Sequence, residues 1–176
     1  TTHKQRFRAS EKTLLRVSHL RSHDINIEIQ DRILFDLEKS LLTCDLLIFS
    51  DFNYGCLPQS LVDKISKLCD ENQVMMVADS QSSSQTGNIS RFKDTNLITP
   101  TEREARIALR DYKSGLVVLA EALRATSQTG NIVITLGAEG VLIHAPGKDG
   151  WYTDRLAGFN TTTKDIAGAG DSMLTC

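Results

Sequence analysis

The sequence predicts an α/β domain of the doubly wound kind, a mainly parallel sheet with helices on both faces, preceded by a short antiparallel pair of strands. Three observations carry that expectation. Brief apolar runs such as Leu46-Leu47-Ile48-Phe49 alternate with longer stretches whose apolar residues recur at helical spacing. The order strand, helix, strand repeats along the chain, and such repetition builds parallel sheets through right-handed crossovers. Polar residues collect just after the apolar runs, Asp51 and Asp79 above all, where the loops and helix N-termini of a parallel sheet converge on ligands.

Residues 5–9 and 13–18 read as two strands whose apolar positions alternate with charged ones such as Arg6, Arg8 and Arg16, as in a half-exposed antiparallel pair. From Ile29 the period changes. Ile29, Ile33, Leu34, Leu37 and Leu41 line one face of a helix and leave Glu28, Asp31, Arg32, Glu38 and Lys39 outside. The run 46–49 reads as a strand covered on both faces. It leads through Ser50-Asp51-Phe52-Asn53-Tyr54-Gly55 to a helix that opens near Pro58 and is marked by Leu61, Val62, Ile65, Leu68 and Cys69. Residues 74–78 form the next strand, Asp79 stands at its C-terminal end, and the polar stretch 80–88 is a loop. A third strand, 96–99, ends in Pro100 and hands over to a helix beginning near Thr101, with Glu104 in the capping-box position. A longer helix covers 114–126. Residues 132–135 then run through Leu136-Gly137-Ala138-Glu139-Gly140 into a hairpin partner at 141–144.

Twenty basic residues against 22 acidic give a formal charge of −2, so no global field draws the chain to nucleic acid or an anionic membrane. Any phosphate site has to be local. At 176 residues and 40% hydrophobic content there is room for one domain with a core. No apolar run approaches the roughly 20 residues that span a bilayer. The opening Thr1-Thr2-His3-Lys4-Gln5-Arg6 also lacks the apolar stretch of a signal peptide, so a cytoplasmic protein is expected. Cys44, Cys56, Cys69 and Cys176 lie too far apart for a paired metal knuckle and read as reduced, mostly structural thiols. His19 and His23 are four apart, but with no third ligand beside them they read as solvated residues at a segment end. The first residue is not Met and the last falls inside what reads as a starting helix, as in a chain cut at both ends.

The chemistry is concentrated near the end of the chain. Gly168-Ala169-Gly170-Asp171 precedes Ser172-Met173-Leu174, so small residues and an acid stand at an expected helix N-terminus. Consecutive amides are unpaired there and carry the positive end of the helix dipole. Residues without bulk let that backbone approach a phosphoryl group and stabilise its developing charge. Asp171 beside it can accept the proton of an attacking hydroxyl. On its own the tetrapeptide also reads as an ordinary helix start, since Asp caps helices well.

The surroundings of the tetrapeptide extend the pattern. Asp165-Ile166-Ala167-Gly168-Ala169-Gly170-Asp171 resembles the second signature of the PfkB, or ribokinase-like, family of carbohydrate kinases, D-[PSTV]-x-G-A-G-D, with Ile166 as the one departure. Other parts fall in the family's order. Thr99-Pro100-Thr101-Glu102-Arg103-Glu104 is similar to T-P-N-x-x-E, and the segment from Thr135 to Gly140 is similar to T-L-G-x-x-G. Ser50 to Gly55 is similar to S-D-Y-x-x-G, and Val77-Ala78-Asp79-Ser80 to the strand that ends in D-P. The resemblance implies a ribokinase-like fold, ATP and Mg2+ as cofactors, and a monovalent cation such as K+. It implies Asp171 as catalytic base, with Gly168, Ala169 and Gly170 as the anion hole. Thr135, Gly137 and Gly140 would lie along the nucleotide, Glu104 would organise magnesium through water, and Asp165 would contact the monovalent cation. The residues alone leave Glu104 open as a helix cap and the two glycines as a hairpin turn. Thr101 stands where the family prefers Asn, and Ser80-Gln81 where sugar-phosphate kinases often carry Pro-Lys. The family's N-terminal sugar-binding half and the segment after its catalytic helix have no counterpart here.

Thr1-Thr2-His3-Lys4-Gln5-Arg6, followed by Leu14-Leu15-Arg16-Val17, is similar to a stretch of bacterial heptose-7-phosphate kinases, which act at the anomeric hydroxyl on the way to ADP-heptose. The resemblance implies residues 1–20 as a lid-like strand pair, 21–176 as the kinase core, and a homodimer through the exposed pair. Two alternatives remain open to the sequence: a non-catalytic module that binds nucleotide or a protein partner, and a nucleoside or vitamin kinase.

Overall fold

The computed structural model describes residues 3–9, 12–19, 23–80, 87–158 and 172–174. Strands β1 (His3–Ala9) and β2 (Lys12–His19) pair antiparallel as a separate two-stranded sheet. The six-stranded sheet has the order β3-β4-β5-β6-β7-β8. Its strands are β3 (Leu46–Asp51), β4 (Met75–Ser80), β5 (Leu97–Ile98), β6 (Asn131–Thr135), β7 (Val141–Gly147) and β8 (Gly150–Leu156). Strands β3 to β6 are parallel, and β7 and β8 continue the sheet antiparallel. Helices α1 (Ile27–Leu41), α2 (Gln59–Glu71), α3 (Glu102–Leu109) and α4 (Leu116–Ser127) make the crossovers and connections.

Local chemistry sets the helix starts. The Asn26 side chain accepts from the Ile29 amide at the head of α1, and Pro58, its φ already suited to a helix entry, precedes α2. Packing then fixes the layers. The strand register aligns Phe49, Ala78, Ile98, Ile132 and His144 in one row across the sheet, each of them buried. Leu41, Leu61, Val62, Ile65, Ala105, Leu119 and Leu123, contributed by all four helices, join Phe49, Ala78, Ile98 and Ile132 of that row in a single core cluster. Side chains alternate across a strand, so the next row, Ile48, Val77 and Leu97, points the other way.

That alternation overturns one expectation. Residues 46–49 are not covered on both faces among the described residues: β3 is the edge strand, and Leu46 and Ile48 remain 43% and 38% exposed. Two elements went unexpected, a 3-10 turn at Ile89–Arg91 and the strand β8. Of the thiols, Cys69 is buried while Cys44 and Cys56 are exposed, so the structural reading fits the first alone, and Cys176 lies outside the described residues. Most of the expected loop at 80–88 also lies outside them. No helix among the described residues is long and apolar enough to cross a membrane.

The β1–β2 arm exposes Phe7, Leu14 and Leu15. It touches the core where the Lys4 ammonium lies 5.2 and 4.6 Å from the ring centres of Phe52 and Tyr54, in the segment after β3. At the far edge of the main sheet a polar cluster joins α4 to the β7–β8 hairpin. The buried His144 ring bonds Thr153 Oγ1 (2.8 Å) through Nδ1 and Glu121 Oε2 (2.9 Å) through Nε2, and Trp151 stacks on it. Arg124 holds both carboxylate oxygens of Glu121 and covers the Trp151 ring.

The hydrogen bonds from Arg124 first, then from His144, pull the Glu121 carboxyl down to about 2 from an ordinary value near 4.5. A depressed carboxylate stabilises the fold above its unfolded value and loses that contribution as pH falls through the folded one. Acid titration should therefore loosen the α4–hairpin contact between about pH 4.5 and 2, read by Trp151 fluorescence. Glu121→Gln should lose that pH-dependent step while keeping the secondary structure.

Candidate functional site

The parallel strands deliver the site. At the C-terminal ends of β5 and β6 the chain stays paired past the sheet: the Thr135 amide donates to Pro100 O (2.9 Å), and Thr101 forms an isolated parallel bridge with Thr135. Thr101 then opens α3. Its hydroxyl accepts from the Glu104 amide (3.2 Å), and the Glu104 carboxylate accepts from the Thr101 amide (2.8 Å), a complete capping box. Glu104 is thereby fixed at the first turn of α3, beside the end of β6.

After β6 the chain turns tightly through Gly137–Glu139, closed by the Leu136 amide on Gly140 O (2.8 Å) and the Gly140 amide on Gly137 O (3.1 Å). The two glycines of this turn do different work. Gly140, at φ +94°, lies against backbone, and a Cβ there would come within 1.9 Å of Leu156 O. It lets the turn cross the end of β8. Gly137, at φ +62°, would place a Cβ in open space. That space is a groove of about 420 Å3, a usual size for a small-molecule site. One wall is Thr101, Glu102, Arg103 and Arg106; the other is Thr135, Leu136 and Gly137, with Tyr112 completing the lining.

The charges along the groove are unequally employed. Arg106 pairs with Glu102 (2.7 Å) and donates to the carbonyls of Asp111 (3.3 Å) and Ser114 (3.1 Å). Those contacts fix the loop that carries Tyr112. Asp111 tightens the same loop by accepting from the Lys113 and Ser114 amides, and its bonds to Ser114 hold its carboxyl at about 2. Arg103 is exposed and has no hydrogen-bond or ion-pair partner among the described residues.

The other polar positions flagged by the sequence stand along the same sheet edge. Asp51 ends β3, buried, bonded to Arg91 Nη2 (2.8 Å) and the Asn53 amide (2.8 Å). Arg91 also reaches Leu57 O (2.9 Å) and Gln59 Oε1 (3.3 Å), and this network lines a second, polar hollow of about 240 Å3 with Asp24. Asp79 is buried near the end of β4, in register with Ser50. Thr99 is buried at the end of β5, and its hydroxyl has no hydrogen-bond partner among the described residues. Asp165, Gly168, Ala169, Gly170 and Asp171 lie outside the described residues; residues 172–174, directly after them, are helical. So Thr135 and Gly137 share the groove, Glu104 is held in the cap of α3 beside it, and Gly140 faces β8. Sequence reasoning missed Arg91, Arg103, Arg106 and Tyr112. Only Arg106 had a readable signal, an acid four residues earlier.

Comparison with known proteins places this geometry in a family. A model described as pfkB family carbohydrate kinase matches residues 18–175. The chain is 27% identical over 178 residues to the bifunctional protein HldE of Desulfatibacillum aliphaticivorans, covering 99% of this chain and 35% of that protein. The bifunctional protein HldE of Sulfurimonas denitrificans is 28% identical over 184 residues, with the same coverage. The chain thus spans about a third of the length of these curated relatives. Among solved structures, ribokinase from Giardia lamblia superposes with a TM-score of 0.72 at 16% identity, covering 99% of this chain and 54% of that one. Phosphofructokinase-2 from Escherichia coli, in complex with substrates and products, gives 0.68 at 16% identity, covering 98% and 54%. These likenesses show the ribokinase-like fold.

The two glycines should separate cleanly on substitution. Gly140→Ala drives a methyl into Leu156 backbone and should lower stability by more than about 2 kcal/mol in urea unfolding. Gly137→Ala meets only the left-handed backbone strain, about 1–2 kcal/mol.

Proposed function

Because this chain belongs to the pfkB family of carbohydrate kinases, we propose that it forms the nucleotide-binding and catalytic part of an ATP-dependent kinase that transfers the γ-phosphoryl group to a sugar or sugar-phosphate hydroxyl. The observation that carries the reading is the groove between α3 and the Thr135-Leu136-Gly137 turn. A glycine opens on it, and a helix N-terminus and an arginine flank it, as an anionic nucleotide requires.

In this reading Thr135 and Gly137 lie along the nucleotide, and Gly140 shapes the turn that presents them. The amides of Gly168, Ala169 and Gly170 hold the transferring phosphoryl group, and Asp171 accepts the proton of the acceptor hydroxyl. Phosphoryl transfer asks the protein mainly for such positioning and charge stabilisation. Mg2+, when bound with ATP, would neutralise phosphate charge; Glu104 would orient its water shell, and Asp165 would serve a monovalent cation such as K+. The acceptor we propose is heptose 7-phosphate at O1, supported by the likeness of the opening Thr-Thr-x-Lys-x-Arg stretch to heptose-7-phosphate kinases. The exposed Phe7, Leu14 and Leu15 of the β1–β2 arm support a homodimer through that arm.

A second reading, a kinase fold that binds nucleotide or a partner without turnover, is favoured by one observation. The Glu104 carboxylate is engaged in the helix cap. ATP-dependent phosphorylation of a panel containing heptose 7-phosphate, other sugar phosphates, nucleosides and vitamins separates the two. Turnover should fall about 10²–10⁴-fold in Asp171→Asn while nucleotide binding survives. Equal or absent turnover in both proteins would establish the binding module instead.

A further inference from the structure

Arg103 is the second residue of α3, and that is a poor place for a cation. The N-terminal turn carries the positive end of the helix dipole, which favours acids there, as Glu102 and Glu104 illustrate. Nor does Arg103 gain a helical partner. The positions three and four residues away are Thr99, Pro100, Arg106 and Ile107, none acidic and one a like charge. Arg106, the other arginine lining the groove, is already employed on Glu102. Local rules that a sequence breaks without visible compensation mark functional positions.

We propose that Arg103 is a phosphate-binding residue of the groove, pairing with the polyphosphate of the bound nucleotide. The proposal rests on the kinase reading above and assigns the groove its cation. Three features of the site converge on it. Arg103 lines the wall opposite Gly137, whose missing side chain leaves the groove open to a ligand. The capping box occupies the Thr101 hydroxyl, the Thr101 amide and the Glu104 amide, so the head of α3 has fewer donors left for an anion. And Glu102, the acid on the same wall, is already paired with Arg106, which reduces its repulsion of an incoming anion. A guanidinium suits the task, because its fork of donors matches two phosphate oxygens at once.

The test compares the protein with its Arg103→Ala, Arg103→Gln and Arg103→Lys variants. Equilibrium affinities for ATP and adenosine are measured, with KM for ATP and for the acceptor alongside. Arg103→Ala and Arg103→Gln should each lose about ten- to a hundredfold in ATP affinity and leave adenosine affinity unchanged. Arg103→Lys should recover part of the loss, and the acceptor KM should stay within about twofold. Equal ATP affinity in all four proteins would overturn the assignment, as would a parallel loss for ATP and adenosine, which would mark a structural role. A starting protein that binds no ATP would remove the kinase reading itself, and this assignment with it. One that binds ATP while the variants match it removes only Arg103.

Discussion

Parallel pairing of β3, β4, β5 and β6 is the constraint from which the rest of the molecule follows. It sends four chain exits to one edge of the sheet, so Asp51, Asp79, Thr99 and Thr135 stand along a single rim although they are spread over 85 positions of sequence. It also forces each return to the opposite edge to run across a face of the sheet, where a helix can satisfy its own backbone and bury a side. The row Phe49, Ala78, Ile98 and Ile132 is what those helices bury against, and His144, next in the row, meets α4 through Glu121. Shifting any one strand by a residue would turn its buried member outward. The core therefore fixes the register, and the register fixes the rim.

Much of this was legible in the sequence, for physical reasons that differ by element. Helix α1 announced itself because Ile33, Leu34, Leu37 and Leu41 repeat at its own period, and α3 because Thr101 and Glu104 are the two halves of a capping box. The edge position of β3 was not legible. Its four apolar residues look alike in sequence, yet Phe49 is buried and Ile48 is not, because burial depends on what packs on each face. Strand β8 was not legible although Gly147 and Gly150 bracket a two-residue turn, since Trp151, Tyr152 and Thr153 become a strand only through their pairing with Pro146, Ala145 and His144 of β7. Among candidate site residues, Gly137 and Gly140 were indistinguishable on paper. The three-dimensional path of β8, which passes Gly140 and not Gly137, separates them.

Charge at the site follows a comparable logic of neighbours. A chain with a formal charge of −2 has no field of its own to gather a polyanion, so attraction must be built locally. Most cations near the rim are spent on architecture. Arg91 closes the buried pair with Asp51 and ties down the chain entering α2, and Arg106 holds the loop that presents Tyr112. Removing either would leave a carboxylate or several carbonyls unpaired, which is why such arginines are poor candidates for contacting a ligand that comes and goes. A binding cation has to be one the fold can do without while the site is empty. By that criterion the groove's ligand contact belongs on the residue that α3 gains least from keeping, at the end of the helix where an anion rather than a cation completes the dipole.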